Sequence, residues 1–194
     1  MNKVIKTTEA RLPSTRGTFK LEAFASEFPD FPHLALVKSL VGEVINVRIH
    51  SECMTGDVFG SLRCDCGEQL HRSSEYIESN GGVVIYLRQE GRGIGLENKL
   101  RAYNLQDQGM DTIQANLALG FHADDRDFTP AIEYLKSKGI SKINLLTNNP
   151  EKIASFDDSG IKVMKRIPII VAEDNENAPY LRTKKESMGH MLDS

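Results

Sequence analysis

All the cysteines of the chain, Cys53, Cys64 and Cys66, lie in one short stretch with C-x10-C-x-C spacing, and this spacing constrains the fold more than any other feature. Three thiols can share an ion only if the intervening loop folds back to bring Cys53 beside the later pair. Gly56, Gly60 and the polar side chains between them suit such a loop, so the segment reads as strand, metal loop, helix. Zinc takes four ligands and binds thiolates well. Three cysteines without an obvious fourth protein ligand leave one position for water, the pattern of a catalytic zinc; His50 is near enough in sequence to be the candidate for closing a structural site instead. Free cysteines that serve as small apolar core residues seldom cluster. An odd number of cysteines, a single residue between Cys64 and Cys66 and no secretory signal argue against disulfides.

Free thiols without a targeting segment predict the reducing cytoplasm. No apolar run approaches membrane-spanning length. The formal net charge of −3 argues against a general nucleic-acid binder, although cations can still gather around an anionic ligand. With 194 residues, 40% of them apolar, the chain can fill a proper core. No Pro/Gly/Ser-rich linker divides it, so one domain over residues 1–194 is expected, with a polar, flexible tail from about residue 175 that closes in a short helix-like end.

Segments Gly17–Phe24, Leu34–Leu40 and Val44–His50 are rich in β-branched and aromatic residues, and Gly42 separates the last two, which predicts an antiparallel, β-rich N-terminal part. Residues Glu68–Ser79 read as helix. The apolar run Val83–Leu87 reads as a strand buried on both faces and leads into the polar loop Arg88–Gly93. Helical spacing returns over Ile94–Asp107, where Leu96, Leu100 and Tyr103 form an apolar stripe and Gly109 is a stop. Asp111 and Thr112 open a short helix. Thr129-Pro130 and Asn149-Pro150 each start another, ending at Gly139 and near Gly160, around the strands Ile143–Leu146 and Ile161–Val171. Pro168 places part of the last strand at an edge. The alternation predicts an α/β fold, a single domain with a mixed β-sheet covered by helices.

Phosphate-binding capacity is legible in two places. Glu90-Gly91-Arg92-Gly93-Ile94-Gly95 precedes a helix but has neither Rossmann spacing nor a P-loop lysine. Thr147 and Lys152 flank the helix start at Asn149-Pro150, where a hydroxyl and an ammonium meet a helix dipole; Arg48 adds a further cation. By sequence alone Lys152 reads as a solvated helix lysine, Tyr103 as a packing residue, and Asp124-Asp125-Arg126-Asp127 as a charged loop.

Four ordered motifs carry a resemblance: Arg48-Ile49-His50-Ser51-Glu52-Cys53, Ser61-Leu62-Arg63-Cys64-Asp65-Cys66-Gly67, Arg88-Gln89-Glu90-Gly91-Arg92, and Leu146-Thr147-Asn148-Asn149-Pro150. Through them the chain resembles the GTP cyclohydrolase II family, from about Gly17 to the C-terminus. The resemblance implies conversion of GTP to formate, pyrophosphate and 2,5-diamino-6-(5-phosphoribosylamino)pyrimidin-4(3H)-one, the first committed step of riboflavin biosynthesis. It implies one Zn2+ per subunit on Cys53, Cys64 and Cys66, Mg2+ on the triphosphate, and a homodimer. Tyr103 takes a role in opening the purine ring. Arg126 is given as the nucleophile toward the α-phosphorus with Asp124 as its general base; because a guanidinium stays protonated, stabilising transition-state charge accounts for Arg126 equally well. The implied GTP site comprises Arg48, Ile49, His50, Ser51 and Glu52, then Gln69, then Glu90, Gly91 and Arg92, then Thr112, Thr147 and Lys152. Related bifunctional proteins carry a dihydroxybutanone phosphate synthase domain, and only the cyclohydrolase activity is expected of this chain.

Overall fold

The β-branched and aromatic runs become strands β1 (Lys6–Ser14), β2 (Gly17–Phe24), β3 (His33–Ser39), β4 (Ile45–Ser51), β5 (Gly82–Leu87), β6 (Lys142–Leu146) and β7 (Lys162–Ile167). Between and after them lie helices α1 (Met54–Asp57), α2 (Cys66–Asn80), α3 (Gly95–Gln106), α4 (Thr112–Ala118), α5 (Thr129–Ser137), α6 (Pro150–Ala154) and α7 (Ala178–Met188). This computed structural model describes residues 6–24, 30–122, 124, 126–172 and 176–192.

The strands form one mixed sheet in the order β1-β2-β3-β5-β4-β6-β7. Strands β1, β2, β3 and β5 pair antiparallel, whereas β4 runs parallel to both β5 and β6, and β6 runs parallel to β7. The expected antiparallel neighbours β3 and β4 are therefore not neighbours. Strand β5 inserts between them, because α2 carries the chain back over the sheet and a strand that follows such a crossover joins in parallel. The strand expected over Ile161–Val171 stops at Ile167, just before Pro168, which has no N–H for the ladder.

Successive side chains of β5 point to opposite faces, and both faces are covered. Val83, Ile85 and Leu87 pack with Ile132 and Leu135 of α5, while Val84 packs with Ile77 of α2. The nearly continuous apolar run of β5 is thus a consequence of burial on two sides.

Helix α3 departs from its expected face. Leu100 is 47% exposed, and the buried positions are Lys99 and Ala102. This helix turns a partly polar side inward because it faces a polar site. The helix-like end expected of the polar tail is α7, which covers residues 178–188 and buries Leu181 and Lys184 instead of remaining flexible.

Candidate active site

The site gathers where the parallel strands β4, β5 and β6 end, the usual ligand position in open α/β sheets. Past the end of β4, Cys53 precedes the single turn of α1, and Cys66 opens α2. This fold-back places the Cys53 and Cys64 sulfurs 3.6 Å apart, and all three sulfurs lie within 4.8 Å of one another. The edge of a tetrahedron with Zn–S bonds of 2.3 Å is about 3.8 Å, so the donor set and its spacing fit zinc. Two glycines make the fold-back possible. A Cβ on Gly56 would sit 3.0 Å from the Cys64 sulfur and 3.3 Å from that of Cys53, and one on Gly67 would sit 2.3 Å from the Gly56 carbonyl oxygen.

His50 stands outside the sulfur cluster. Its Nε2 lies 3.1 Å from both carboxylate oxygens of Asp57, and its ring stacks on Tyr86. Asp57 also accepts from the Tyr86 hydroxyl at 2.8 Å and from the Cys53 backbone N–H at 3.0 Å, so it ties β4, β5 and the metal loop together. Burial pushes the His50 imidazole below its usual pKa despite Asp57, which favours the neutral ring.

Lys99, from the inward side of α3, donates to the Cys53 sulfur at 3.1 Å and to Glu90 at 2.8 Å. Hydrogen bonds from the Cys64 and Cys66 thiols, with Lys99 alongside, hold the Cys53 thiol well below the usual thiol range. Burial alone would lower the Lys99 pKa, but the Cys53 thiolate and Glu90 raise it, so the ammonium persists. Glu90 also accepts from the backbone N–H groups of Met54 at 2.6 Å and Gly91 at 2.8 Å. Next to this pair, the Tyr103 hydroxyl lies 3.2 Å from that of Thr55, which lies 3.6 Å from the Cys53 sulfur. Arg63 packs over the Tyr103 ring at 4.9 Å, and burial raises the phenol above its ordinary pKa.

The same cleft is also lined by basic side chains. Arg48 of β4 donates to the Leu146 carbonyl at 3.1 Å and to Gln69 at 2.7 Å, and burial lowers its pKa to about 10. Lys152 of α6, expected to be solvated, is 5% exposed and donates to the Ile49 carbonyl at 2.8 Å. Burial, with Arg48 and Arg126 nearby, holds its pKa far below that of a free lysine. Asp124 accepts from Arg126 Nε at 2.8 Å through one oxygen and bonds Nη2 through the other, a two-point grip. Burial opposes the charge on both, but each holds the other ionised: Arg126 is raised and Asp124 lowered. Thr147 accepts from the Asn149 N–H at 3.0 Å, and Asn149 caps α6. Arg92 adopts a left-handed conformation, φ 62°, rare for a side chain-bearing residue and typical of functional loops.

Of the residues singled out from sequence, Arg48, His50, Ser51 and Glu52 line one cleft with the three cysteines. Gln69, Glu90, Gly91, Arg92 and Tyr103 line it too, as do Thr112, Arg126, Thr147 and Lys152. Ile49 does not: its side chain is fully buried in the sheet core, and it serves the site through its carbonyl. Asp124 is not among the lining residues and contacts the cleft-lining Arg126 instead. Sequence reasoning gave no role to Lys99, although it sits in helical register beside Tyr103. Nor did it identify Tyr180, Lys184 and His190, which line the same cleft from the C-terminal segment; the buried side of α7 carries a lysine, so no apolar stripe marks it.

The GTP cyclohydrolase II family model matches residues 5–168. A GTP cyclohydrolase-2 from Campylobacter hominis is 53% identical over 184 residues, covering 95% of this chain and 93% of that one. Another from Actinobacillus succinogenes is 52% identical over 197 residues, covering 99% of this chain and 90% of the relative. The riboflavin biosynthesis protein RibBA of Staphylococcus epidermidis is 50% identical over 184 residues, which cover 95% of this chain but 47% of that protein. Among solved structures, RibBX, a two domain 3,4-dihydroxy-2-butanone 4-phosphate synthase from A. baumannii, aligns at 18% identity with a TM-score of 0.45, over 89% of this chain and 41% of that chain. The family model and the near-full-length relatives agree, and the chain belongs to the GTP cyclohydrolase II family of hydrolases.

Proposed function

We propose that this chain hydrolyses GTP to formate, pyrophosphate and 2,5-diamino-6-(5-phosphoribosylamino)pyrimidin-4(3H)-one, the first committed step of riboflavin biosynthesis. The observation that carries the reading is that one cleft holds both a three-cysteine cluster and the basic side chains Arg48, Arg126 and Lys152. Two bonds of GTP must break at separate places, and the cleft offers separate chemistry for each. Arg48 Nε and Asn149 Nδ2, buried donors without partners among the described residues, belong to side chains that line it and suit a polar ligand.

Cys53, Cys64 and Cys66 would hold one Zn2+. When bound, zinc supplies a Lewis acid that brings the pKa of water toward neutrality. Tyr103, kept protonated by burial and steered by Thr55, supplies a proton donor beside the cluster for opening of the imidazole ring. Lys99 keeps positive charge against Cys53 and so tempers the negative charge of three thiolates.

At the other end, Arg126 acts as a fixed cation. Asp124 grips it from two oxygens and raises its pKa, which disfavours the neutral guanidine that nucleophilic attack requires. Its role is to stabilise charge developing on the α-phosphate. Lys152, Arg48, Thr147 and Arg92 position the phosphates, with Mg2+ carried on the triphosphate. Gln69, Thr112 and the β4 end, Arg48 through Glu52, complete the nucleotide site. Residues 1–194 act as one catalytic domain in the cytoplasm, assembled as a homodimer; exposed Val58, Phe59 and Leu62 on the metal loop offer apolar surface for assembly.

The test is metal removal and return. A chelator should abolish formate release while far-UV circular dichroism is retained, and zinc should restore the rate. Formate release by the metal-free protein would contradict the reading.

A further inference from the structure

The family model ends at residue 168, yet the segment beyond it reaches the cleft. Helix α7 presents Tyr180 and Lys184, four residues apart, on one face, and Lys184 Nζ lies 4.4 Å from the Tyr180 ring centroid. Lys184 donates at 2.5 Å to Asp65, the residue between two of the cysteines. An ammonium has three donors, so this bond leaves further capacity. Gly189 then takes a left-handed conformation, φ 64°, and ends the helix. The turn returns the chain to the site: the Met191 N–H donates to the Asn148 carbonyl at 2.9 Å. That bond fixes His190 beside the start of α6.

His190 is the unusual member. Both ring nitrogens are shielded from solvent, and neither has a hydrogen-bond partner among the described residues. A neutral imidazole always carries one N–H, and leaving it buried without an acceptor is costly. Burial and three cations, Lys184, Arg126 and Lys152, depress its pKa. With such neighbours, the acceptor suited to that N–H is an anion. Arg48, Arg126, Lys152 and Lys184 line the cleft, whereas Asp65 and Asp124, which pair with two of them, are not among its lining residues, so this part of the cleft presents basic groups to a ligand.

We infer that residues 177–192 build the polyphosphate end of the nucleotide site, with His190 and Lys184 binding phosphate oxygens directly. The inference rests on the proposed function, because it takes the anion to be the phosphate chain of GTP. It adds two substrate-binding residues from a segment beyond the family model. Lys184 also links that segment to the metal loop, since Asp65 accepts from Gln69 at 2.6 Å, and Gln69 accepts from Arg48.

The experiment compares wild-type protein with His190→Ala, Lys184→Gln and Lys184→Arg, measuring affinity for inorganic pyrophosphate and for guanosine by calorimetry. Loss of a hydrogen bond to a charged oxygen should weaken pyrophosphate binding about tenfold in His190→Ala and Lys184→Gln. Guanosine affinity should stay within about twofold, and Lys184→Arg should keep most of the pyrophosphate affinity. In turnover, KM for GTP should rise in the same two variants by more than kcat falls. Unchanged or tighter pyrophosphate binding would overturn the inference, as would equal weakening of both ligands, which marks a structural role. Because His190→Ala removes no bond seen within the protein, it remains informative even if Lys184→Gln misfolds. The binding arm needs no turnover: if the wild-type protein makes no formate while the variants lose pyrophosphate affinity, the proposed function falls and the polyphosphate-binding role of His190 and Lys184 stands without it.

Discussion

Replacing Glu90 with alanine should destabilise the protein more than loss of a surface carboxylate would. The Glu90 and Lys99 side chains are 9% and 11% exposed, so the pair is poorly screened by water. Its carboxylate accepts from Lys99 at 2.8 Å, Gly91 N–H at 2.8 Å and Met54 N–H at 2.6 Å. Removing one partner of a buried ion pair costs about 3–5 kcal/mol, because the other charge remains. Lys99 keeps its bond to Cys53, so the lower end, about 3 kcal/mol, applies. For a chain of this size that is a fall in Tm of about 6–12 °C. Differential scanning calorimetry at fixed protein and zinc concentrations measures it, and Glu90→Gln, which keeps an acceptor, should lose about half as much. A fall of less than about 2 °C in Glu90→Ala would refute the reasoning, because the bonds would then be exchanged for water at no cost.

Three further outcomes follow from the geometry. Tyr103→Phe should change stability by no more than about 1 kcal/mol and cut formate release about 10²–10⁴-fold, while pyrophosphate release persists; unchanged formate release would remove Tyr103 from ring opening. Arg126→Lys keeps a charge but loses the two-point grip of Asp124, so pyrophosphate release should fall about 10²–10³-fold with zinc content unchanged; a near-wild-type rate would end the fixed-cation role. Burial alone would raise the pKa of Glu22, but hydrogen bonds from Lys138, Lys20 and Tyr134 outweigh it and hold the carboxyl at about 2. Its stabilisation is present above the ordinary carboxylate pKa and lost as pH falls from about 4.5 toward 2, so urea midpoints should decline over that window and decline less in Glu22→Gln.

Much of this site could be read from residue order because its parts are local. The C-x10-C-x-C loop, the β4 end and the Asn149-Pro150 helix start each carry their chemistry within a few residues. Pairing across the sheet was not local: nothing in Val44–His50 says that β5 will separate it from β3, since that depends on where α2 returns the chain. The face of α3 was misjudged for a related reason. A stripe of Leu96, Leu100 and Tyr103 looks like a core face, but the helix borders a polar cleft, and Lys99 is buried by its bonds to Cys53 and Glu90. Lys152 was hidden in the same way, because its burial is offset by the distant Ile49 carbonyl. The C-terminal segment is polar in sequence and acquires its meaning only from contacts with Asp65 and Asn148, both remote along the chain.

The central claim is that one cleft breaks two different bonds of GTP, and the most direct measurement is the joint time course of formate and pyrophosphate from zinc-loaded protein with GTP and Mg2+. Equal final yields are predicted. Pyrophosphate without formate, or neither product, would contradict the account.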